Sequence, residues 1–253
     1  MTQVKKVTDL HDKMVCQNPF EQEGLELPSD LILNGHWYIS DQNVLQSEDA
    51  WYGFIVLTKD KEDRWTLSNT FSSFRCRNSD YVFSWQYDTP CDCERSMIVQ
   101  DVRVHPSENI RLHLSAGSSL VVASDLVQFE QVTLEPSSSL HVQRHQIRLH
   151  SIHAKAQSVC LIEGDVFGEE IKADVGAKIE VCGELVKESP RVQLLSGAEV
   201  TLNKPKDPRV FLYGGSNLFL KLGPDQPRPE PVFMDREAMI TCMNAMPMVD
   251  MRQ

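Results

Sequence analysis

The second half of the chain alternates apolar and polar residues in short segments, and turns rich in serine, glycine and alanine join the segments in pairs. One copy of this pattern runs from Val192 to Leu202, and further copies begin at residues 110, 132, 152, 171 and 210. Successive side chains of a β-strand point to opposite faces, so the alternation predicts strands with one apolar face. In the shorter copy that begins at Ile152, the alignment makes Val159 and Leu161 the apolar positions of the second strand.

A third apolar segment recurs between the copies, at Leu126, Ile147, Val166 and Leu185. The whole pattern repeats about every twenty residues, a period typical of architectures in which each repeat is one coil. One coil cannot bury its apolar face alone, so several coils must stack to form a core. We therefore predict an all-β chain with a three-sided parallel β-solenoid of five to six coils over residues 99–222. A β-sandwich also has strands at short intervals, but it does not repeat a turn at a fixed offset.

The first third of the chain differs from the rest, because it contains all four tryptophans and most of the other aromatic residues. Residues 54–67 have the β-branched and aromatic composition of a hairpin, and residues 81–87 alternate at period two. We predict a small, aromatic-rich antiparallel β domain over residues 28–98. Its tryptophans fit the core of a small sheet better than a sugar-binding platform, and we retain Trp37 and Trp51 as candidates for partner binding.

The last segment, residues 223–253, begins with four prolines within Gly223–Pro231, which predicts a linker because proline disrupts helices and strand interiors. A short helix is predicted from Asp235, as its N-cap, until Pro247. The tail is rich in methionine, whose unbranched side chain adapts to irregular apolar surfaces. Candidate partner-binding residues are Met239, Met243, Met246 and Met248. Alternatively, the tail covers the open end of the solenoid, where strand edges need protection.

Charge and composition restrict the possible partners of the protein. The net charge is −11 and the chain has no run of lysine or arginine, which opposes binding to nucleic acid or anionic lipid. The polar segment at residues 1–27 has no stretch that suits a signal peptide, and no apolar run is long enough for membrane insertion. We therefore expect a cytoplasmic protein. Its seven cysteines are expected to be free thiols, because their number is odd and their spacing forms no disulfide framework.

Two groups of residues have side chains that could bind a metal ion. Cys91 and Cys93, with Cys76 and His105 nearby in sequence, would supply ligands for zinc, but their spacing completes no recognised set. Free thiols are the favoured interpretation. The second group is a histidine cluster, for which an outward-facing row is favoured over a metal site or a pH-sensitive surface. Its members are His141, His145, His150 and His153.

Five carboxylates lie close together in sequence, at Asp165, Glu169, Glu170, Asp174 and Glu180. β-Helix lyases and hydrolases place acids, bases or calcium ligands on such a face. The same residues are also expected on the solvated face of an acidic protein, and no nucleophile motif or phosphate-binding loop accompanies them. We therefore predict no catalytic residue, no metal site and no cofactor.

The segment Leu161–Val186, LIEGDVFGEEIKADVGAKIEVCGELV, contains four glycines near predicted bends, at Gly164, Gly168, Gly176 and Gly183. In this pattern the chain resembles the bactofilins over residues 102–222. Bactofilins are bacterial cytoskeletal proteins built on a three-sided β-helix. The resemblance implies end-to-end self-assembly that needs no nucleotide.

These features predict a non-enzymatic scaffold, or a self-assembling or binding protein, built on a β-solenoid. Its partner is expected to be another protein or a second copy of the chain, and a small-molecule substrate is not expected. Two alternatives stay open. The carboxylates and tryptophans would suit a carbohydrate-active or carbohydrate-binding β-helix protein, and a secreted effector or viral protein that uses a signal-less export route would share the same features.

Overall fold

The fold is taken from a computed structural model, which describes residues 30–42, 44–47, 55–59, 65–68, 74–75, 82–83, 96–99, 102–103, 110–124, 128–143 and 146–244. Within these ranges the regular structure is β-strand, and no helix is present. In chain order the strands are β1 (Asp30–Asn34), β2 (His36–Ile39), β3 (Val44–Ser47), β4 (Ile55–Lys59), β5 (Trp65–Ser68), β6 (Phe74–Arg75), β7 (Val82–Phe83), β8 (Ser96–Val99), β9 (Val102–Arg103), β10 (Ile110–Leu114), β11 (Ser119–Val122), β12 (Phe129–Leu134), β13 (Ser139–Val142), β14 (Gln146–Ala154), β15 (Val159–Ile162), β16 (Asp165–Phe167), β17 (Glu170–Ala173), β18 (Lys178–Glu184), β19 (Arg191–Leu194), β20 (Glu199–Asn203), β21 (Arg209–Leu212), β22 (Asn217–Leu222), β23 (Phe233–Met234) and β24 (Met239–Asn244).

Most strands belong to two long sheets, and the chain passes from one sheet to the other in every coil. The first sheet has the spatial order β8, β4, β5, β1, β10, β12, β14, β17, β19, β21, β23. The second sheet has the order β9, β3, β2, β11, β13, β15, β18, β20, β22, β24. From β10 and β11 onwards the neighbours within each sheet are parallel. The chain therefore forms a parallel β-solenoid, with six turns between β10 and β22, and the predicted solenoid is confirmed.

The inward residues of the first sheet form a ladder, in which each residue lies opposite its equivalent in the next strand. The members of this ladder are buried, at Val132, Ile152, Ile171, Val192 and Val210. This is the register that the sequence repeat predicts. The first copy differs, because the register shifts after Ile110 and places Leu112 opposite Val132.

The second sheet has an equivalent inward ladder, with one correction to the sequence alignment. Leu140, Cys160 and Ile179 lie opposite one another and are buried. The alignment predicts that Val159 points inward, but its side chain is 45% exposed and Cys160 takes the buried position. A shift of one residue exchanges the two faces of a strand. Cys160 suits the core because a free cysteine packs as a small apolar side chain.

A four-residue turn forms the corner between the two sheets and recurs along the solenoid. The amide of the fourth residue donates to the carbonyl of the first, from Ser118 to Ser115 at 3.0 Å and from Ala198 to Leu195 at 2.9 Å. In the six corners before the last one, the third residue has a positive φ, such as 72° at Gly117, as in a type II turn. The fourth residue is small and buried inside the bend, at Ser118, Ser138, Ser158, Ala177, Ala198, Ser216 and Ala238. The small-residue turns of the sequence are therefore corners.

The third side of the predicted coil is short. Gln146–Arg148 in β14 pairs with Asp165–Phe167, which is β16. Val166 continues to Leu185 through a single bridge. Ile147, Val166 and Leu185 are buried, as expected for a third apolar position. The three-sided prediction is thus met in part, because the described chain has two long sheets and strand pairing on the third side only in its middle coils.

The first coil of the solenoid comes from residues 30–39, far from the second coil in sequence. β1 pairs in parallel with β10 and β2 with β11, where Trp37 lies opposite Leu120. Leu33 and Trp37 are fully buried in the same core as the later coils. The sequence places these residues in a separate domain over residues 28–98, whereas their strands continue the two sheets of the solenoid.

The segment between the first two coils adds strands to the N-terminal edge of both sheets. In the first sheet β5 pairs in parallel with β1. β4 then pairs antiparallel with β5, and β8 pairs antiparallel with β4. In the second sheet β3 pairs antiparallel with β2, and β9 pairs antiparallel with β3. The hairpin predicted at residues 54–67 is confirmed as β4 and β5. These strands occupy the N-terminal edges of the solenoid.

The last coil is formed by β23 and β24, and the predicted C-terminal helix is wrong. Asp235 begins a corner instead of capping a helix, because its carbonyl accepts the amide of Ala238 at 3.1 Å. β24 pairs in parallel with β22, and Ile240 and Cys242 continue the core. Pairing with an existing sheet edge overrides the weak helix preference of this segment. Residues 224–231 connect the coils without helix or strand, as predicted for a linker.

Candidate functional site

The terminal coil, defined as Val232–Asn244, concentrates exposed apolar side chains. Large apolar residues are exposed at eight positions of the described chain, and five of these belong to the terminal coil. The five are Val232, Phe233, Met234, Met239 and Met243. Single exposed apolar residues are ordinary on protein surfaces, whereas a concentration of them in one short segment is typical of an interaction site.

The terminal coil is exposed because no described coil stacks on it. Met234 continues the inward ladder of Leu194 and Leu212. Both leucines are fully buried, whereas Met234 is 46% exposed. In the second sheet, the inward residue Ile240 is almost fully buried and Cys242 is partly buried. The core therefore ends in apolar side chains that are only partly covered.

β23 and β24 each have one edge with which no described strand pairs. On β24 the amide of Met239 donates to the carbonyl of Ser216 at 2.9 Å, toward the solenoid. Alternate residues of a strand direct their N–H and C=O groups to opposite edges, so those of Ile240 and Cys242 point to the open edge. The carbonyl of Ile240 accepts a hydrogen bond from Arg228 Nη2 at 3.2 Å. The open edge can therefore pair with a further strand.

β23 and β24 contain no charged residue, unlike the strands beneath them. In the second sheet, the outward faces of the preceding strands carry Lys178, Glu180, Glu199 and Lys221. Edge strands commonly carry a charge that prevents pairing with another chain. The charges of the terminal coil lie in its corner, Asp235–Glu237, outside both strands. The open edge thus lacks a common protection against association.

The sequence predicts two of the residues at this end of the solenoid. Met239 and Met243 lie on the outward face of β24 and are exposed. Trp37, in contrast, is fully buried, and its Nε1 donates to the carbonyl of Asn34 at 3.1 Å. Trp37 is therefore a core residue, as the sequence predicts for the tryptophans in general, and its side chain is not available to a partner. Outside the described residues lie Met246, Met248 and Trp51.

Phe233 is a residue of this end that the sequence analysis missed. Its ring stacks on Tyr213 of the preceding coil, with the ring centroids 4.9 Å apart. It also lies opposite Phe211, whose ring is 5.3 Å from the guanidinium carbon of Arg191. The available signal is the apolar run that directly follows the proline-rich linker. Prolines before a strand do not prevent it from pairing at a sheet edge.

Contacts between histidines and carboxylates join neighbouring coils in the central part of the solenoid. Four histidines each face a carboxylate one coil further along the chain, with N–O distances between 2.8 and 3.6 Å. The pairs are His113–Glu135, His141–Glu163, His150–Glu169 and His153–Asp174. The outward orientation predicted for His141 and His150 is confirmed, whereas His145 lies outside the described residues. These pairs connect adjacent coils on the solenoid surface.

The carboxylates that are close in sequence do not share one face of the solenoid. Asp165 lies on the third side, where its Oδ1 accepts the amide of Glu184 at 2.7 Å. Glu170 lies in the first sheet and Glu180 in the second. Asp174 lies at the corner between them. The fold therefore distributes these acids over different sides of the coil.

Three described side chains have clearly shifted pKa values. A hydrogen bond from Lys187 and then the charge of His150 lower the pKa of Glu169. Burial raises the pKa of Cys160 to about 12. Burial, followed by the charge of Glu180, raises the pKa of Cys182. Both thiols are free, and neither has the lowered pKa that a nucleophilic cysteine needs.

Within the described ranges, no group of three or more histidine, cysteine, aspartate or glutamate side chains is arranged to hold a metal ion. The cysteines and histidine of the zinc hypothesis lie outside those ranges, at Cys76, Cys91, Cys93 and His105. The choice between a zinc site and free thiols there stays a prediction. In the same described part of the chain, no helix has the length and apolar character needed to cross a bilayer.

No family model matches the chain, and neither a curated protein nor a solved structure matches it. The resemblance to the bactofilins therefore stays a prediction. The properties of the terminal coil provide the strongest indication of function.

Proposed function

We propose that the protein is a non-enzymatic scaffold or binding protein that uses the terminal coil of its β-solenoid to bind another protein chain. Three properties of the coil support this function: exposed apolar side chains, an open strand edge, and strands without charge. Together they form a surface that is favourable to cover and that has directional backbone groups to offer a partner.

The chemistry of the coil suits a polypeptide. Phe233, Met239 and Met243 offer large apolar side chains, and aromatic residues and methionine are enriched in protein interfaces. The backbone groups of Ile240 and Cys242 can pair with an added strand, a common mode of peptide recognition. Nucleic acid is a poor alternative partner, since the net charge of the chain is −11.

The central coils suit the role of a rigid support. Their apolar residues form one continuous core, and ion pairs between lysines and glutamates join neighbouring coils along the surface. The distribution of Asp165, Glu170 and Glu180 over three sides supports a non-enzymatic function, because acid and base catalysis needs such groups around one substrate. The solenoid would thus hold the terminal coil in a fixed position.

A photoreactive crosslinker tests the proposal in cells that produce the protein. Benzoylphenylalanine in place of Thr241 should capture a protein chain, because Thr241 lies on the outward face of β24. Thr201 is the matched control, since it lies two coils earlier in the same outward row. Capture from Thr241 well above that from Thr201 is expected. Equal capture from both positions, or none from Thr241, would contradict the proposed function.

A further inference from the structure

We propose that the occupant of the terminal coil is the terminal coil of a second copy, with β24 of each copy paired antiparallel around a two-fold axis. This pairing rests on the proposed function, because it names the partner of the same region. It differs from the end-to-end polymer that the resemblance implies, since it closes after two copies.

The two ends of the solenoid are not equivalent. A head-to-tail polymer needs an open parallel edge at both ends, but β1 already pairs with β5 and β2 with β3. β3 runs antiparallel to β2, so the N-terminal edge does not offer the next position of the parallel ladder. Among the described strands, the parallel ladders are open at the C-terminal end. Two such ends can meet symmetrically through a two-fold axis, which makes the paired strands antiparallel.

The residues of β24 define the register of this pair. Side chains that lie directly opposite each other in a sheet share a face. A two-fold axis between two residues of β24 would place an inward side chain opposite an outward one. The axis must therefore pass through a residue. Placing Thr241 on the axis pairs Met239–Met243 of one copy with the same segment of the other. Met239 then faces the partner's Met243 on the outward side, and Ile240 faces the partner's Cys242 on the inward side. Every opposed pair is uncharged, and most are apolar.

The backbone groups agree with the same register. Ile240 and Cys242 direct their N–H and C=O groups to the open edge, because Met239 directs its amide toward Ser216. With Thr241 on the axis, Ile240 and the partner's Cys242 form a hydrogen-bonded pair. Thr241 and its symmetry mate form a non-hydrogen-bonded pair, in which side chains approach most closely.

The charges of the terminal coil also favour antiparallel pairing. The corner Asp235–Glu237 directly precedes β24. In the antiparallel pair, the two corners lie at opposite ends of the interface, roughly 30 Å apart by the rise of a strand. That distance exceeds the Debye length at physiological ionic strength. Since each copy carries a net charge of −11, added salt should strengthen the dimer by screening the remaining repulsion.

One existing hydrogen bond must be exchanged when the strands pair. Arg228 Nη2 donates to the carbonyl of Ile240 at 3.2 Å. In the dimer this carbonyl would accept the amide of the partner's Cys242. Arg228 therefore competes with the second copy, and Arg228→Ala should lower the dissociation constant of the dimer.

Sedimentation velocity of the full chain over a range of concentrations tests the pairing. We expect a monomer–dimer equilibrium without larger species. Thr241→Lys places two like charges opposite each other on the axis and should raise the dissociation constant about tenfold. Thr201→Lys is the matched control and should leave it unchanged. Circular dichroism spectra that match the unsubstituted protein establish that both variants are folded.

A charge exchange tests the register itself. Met239→Lys alone should weaken the dimer, because the lysine faces the partner's Met243. Adding Met243→Glu to the same chain places each lysine opposite a glutamate of the partner and should restore association. The two substituted residues are four positions apart on one strand, too far to pair within one copy. Rescue is therefore specific to the antiparallel register.

Several outcomes would overturn the pairing. They are a monomer at all concentrations, equal weakening by Thr201→Lys and Thr241→Lys, failure of the charge exchange to restore association, and growth into filaments.

A monomer that forms a dimer once residues 245–253 are removed would show that this segment is the occupant. If Thr241 captures a different protein and the chain stays monomeric, the second copy is excluded and the proposed function holds. If Thr241 captures nothing, the proposed function fails.

Discussion

In the two long sheets, the strands of the central coils, from β10 to β22, have a neighbouring strand on each side, whereas the described strands of the terminal coil have a neighbour on one side. Both regions use the same inward ladder, yet Leu194 is fully buried and Met234 is 46% exposed. Burial in this fold is therefore decided by what stacks above and below a residue, more than by its position in the repeat. The same pattern that makes a core in one coil leaves exposed apolar side chains in the last.

The two regions also differ in charge. Across the described ranges, ion pairs join residues of the central coils, and no residue of Val232–Asn244 takes part in one. Charged outward faces of this kind oppose association of sheets with other chains. A coil without such charges is suited to being covered. This difference in charge agrees with the proposed function, in which the central coils support the terminal coil and the terminal coil binds the partner.

Thiol labelling should separate the two regions most strongly. Burial raises the pKa of Cys160 to about 12, whereas Cys242 occupies an inward position of the terminal coil and is partly exposed. Because the thiolate is the reactive form, we expect Cys160 to react with a maleimide about a thousandfold more slowly than an exposed thiol. Cys242 should react measurably faster than Cys160 in dilute, native protein. Peptide mass spectrometry measures both rates, and similar rates would contradict a closed central core.

Alanine substitutions in one inward ladder, one in a central coil and one in the terminal coil, should give the next largest difference, measured as the free energy of unfolding. Leu194→Ala removes a fully buried side chain and should lower the free energy of unfolding by about 4 kcal/mol. Met234→Ala, two strands further along the same ladder, should lower it by about 1 kcal/mol, because that side chain is already half in water. Urea denaturation followed by circular dichroism measures both. Equal losses would mean that the terminal coil is as well covered as the central ones.

Backbone stacking within the central coils can be tested at a glycine. A Cβ atom on Gly183 would lie 2.2 Å from the carbonyl carbon of Gly164 in the preceding coil. Gly183→Ala should therefore cost about 3 kcal/mol of unfolding free energy, because the backbones must separate. Gly117→Ala is the control, since no atom lies within 4 Å of its Cβ position and only the φ of 72° opposes it. Its cost should be about 1 kcal/mol.

The smallest expected effect concerns the ion pairs of the central coils. Lys187, and then His150, lower the pKa of Glu169 below its ordinary value of 4.5. A carboxyl with a lowered pKa in the folded state stabilises that state above its ordinary pKa, and this stabilisation is lost as the pH falls through the lowered pKa. Glu169→Gln should therefore lower the melting temperature slightly at neutral pH. The difference from the unsubstituted protein should disappear in acid, and a difference that grows in acid would contradict the assignment.

The sequence predicts the central coils well, because each strand there alternates apolar and polar residues within a short segment. The alternation at Ile171, Val192 and Val210 correctly predicts the register of the first sheet. The alignment fails at Val159, which is exposed, because Cys160 takes the buried position. A hydrophobic pattern favours valine for such a position, although a free cysteine packs in a core equally well. A local error of one residue thus reversed the faces of one strand.

The two ends of the solenoid are harder to predict, because long-range contacts determine them. β1 and β2 join the core although a long segment separates them from β10, and a search for a regular period cannot find a repeat interrupted in this way. At the other end, Asp235 and Pro247 bound a segment with ordinary helix signals, yet Met239–Asn244 within it pairs with the edge of β22 as a strand. Met239 and Met243 were predicted from composition alone, and their shared outward face follows from the strand.

The connection between the first two coils affects how the protein folds. Gly35 donates its amide to the hydroxyl of Ser118 across 83 residues, whereas His153 reaches Asp174 across 21. Two doublings of loop length raise the entropic cost of closure by about 1.2 kcal/mol, and contacts between distant residues form slowly. β1 and β2 should therefore dock last, although ribosomes synthesise them first. During synthesis, the apolar side chains of Leu33 and Trp37 would stay exposed until β10 and β11 leave the ribosome. Molecular chaperones commonly bind exposed apolar segments of this kind.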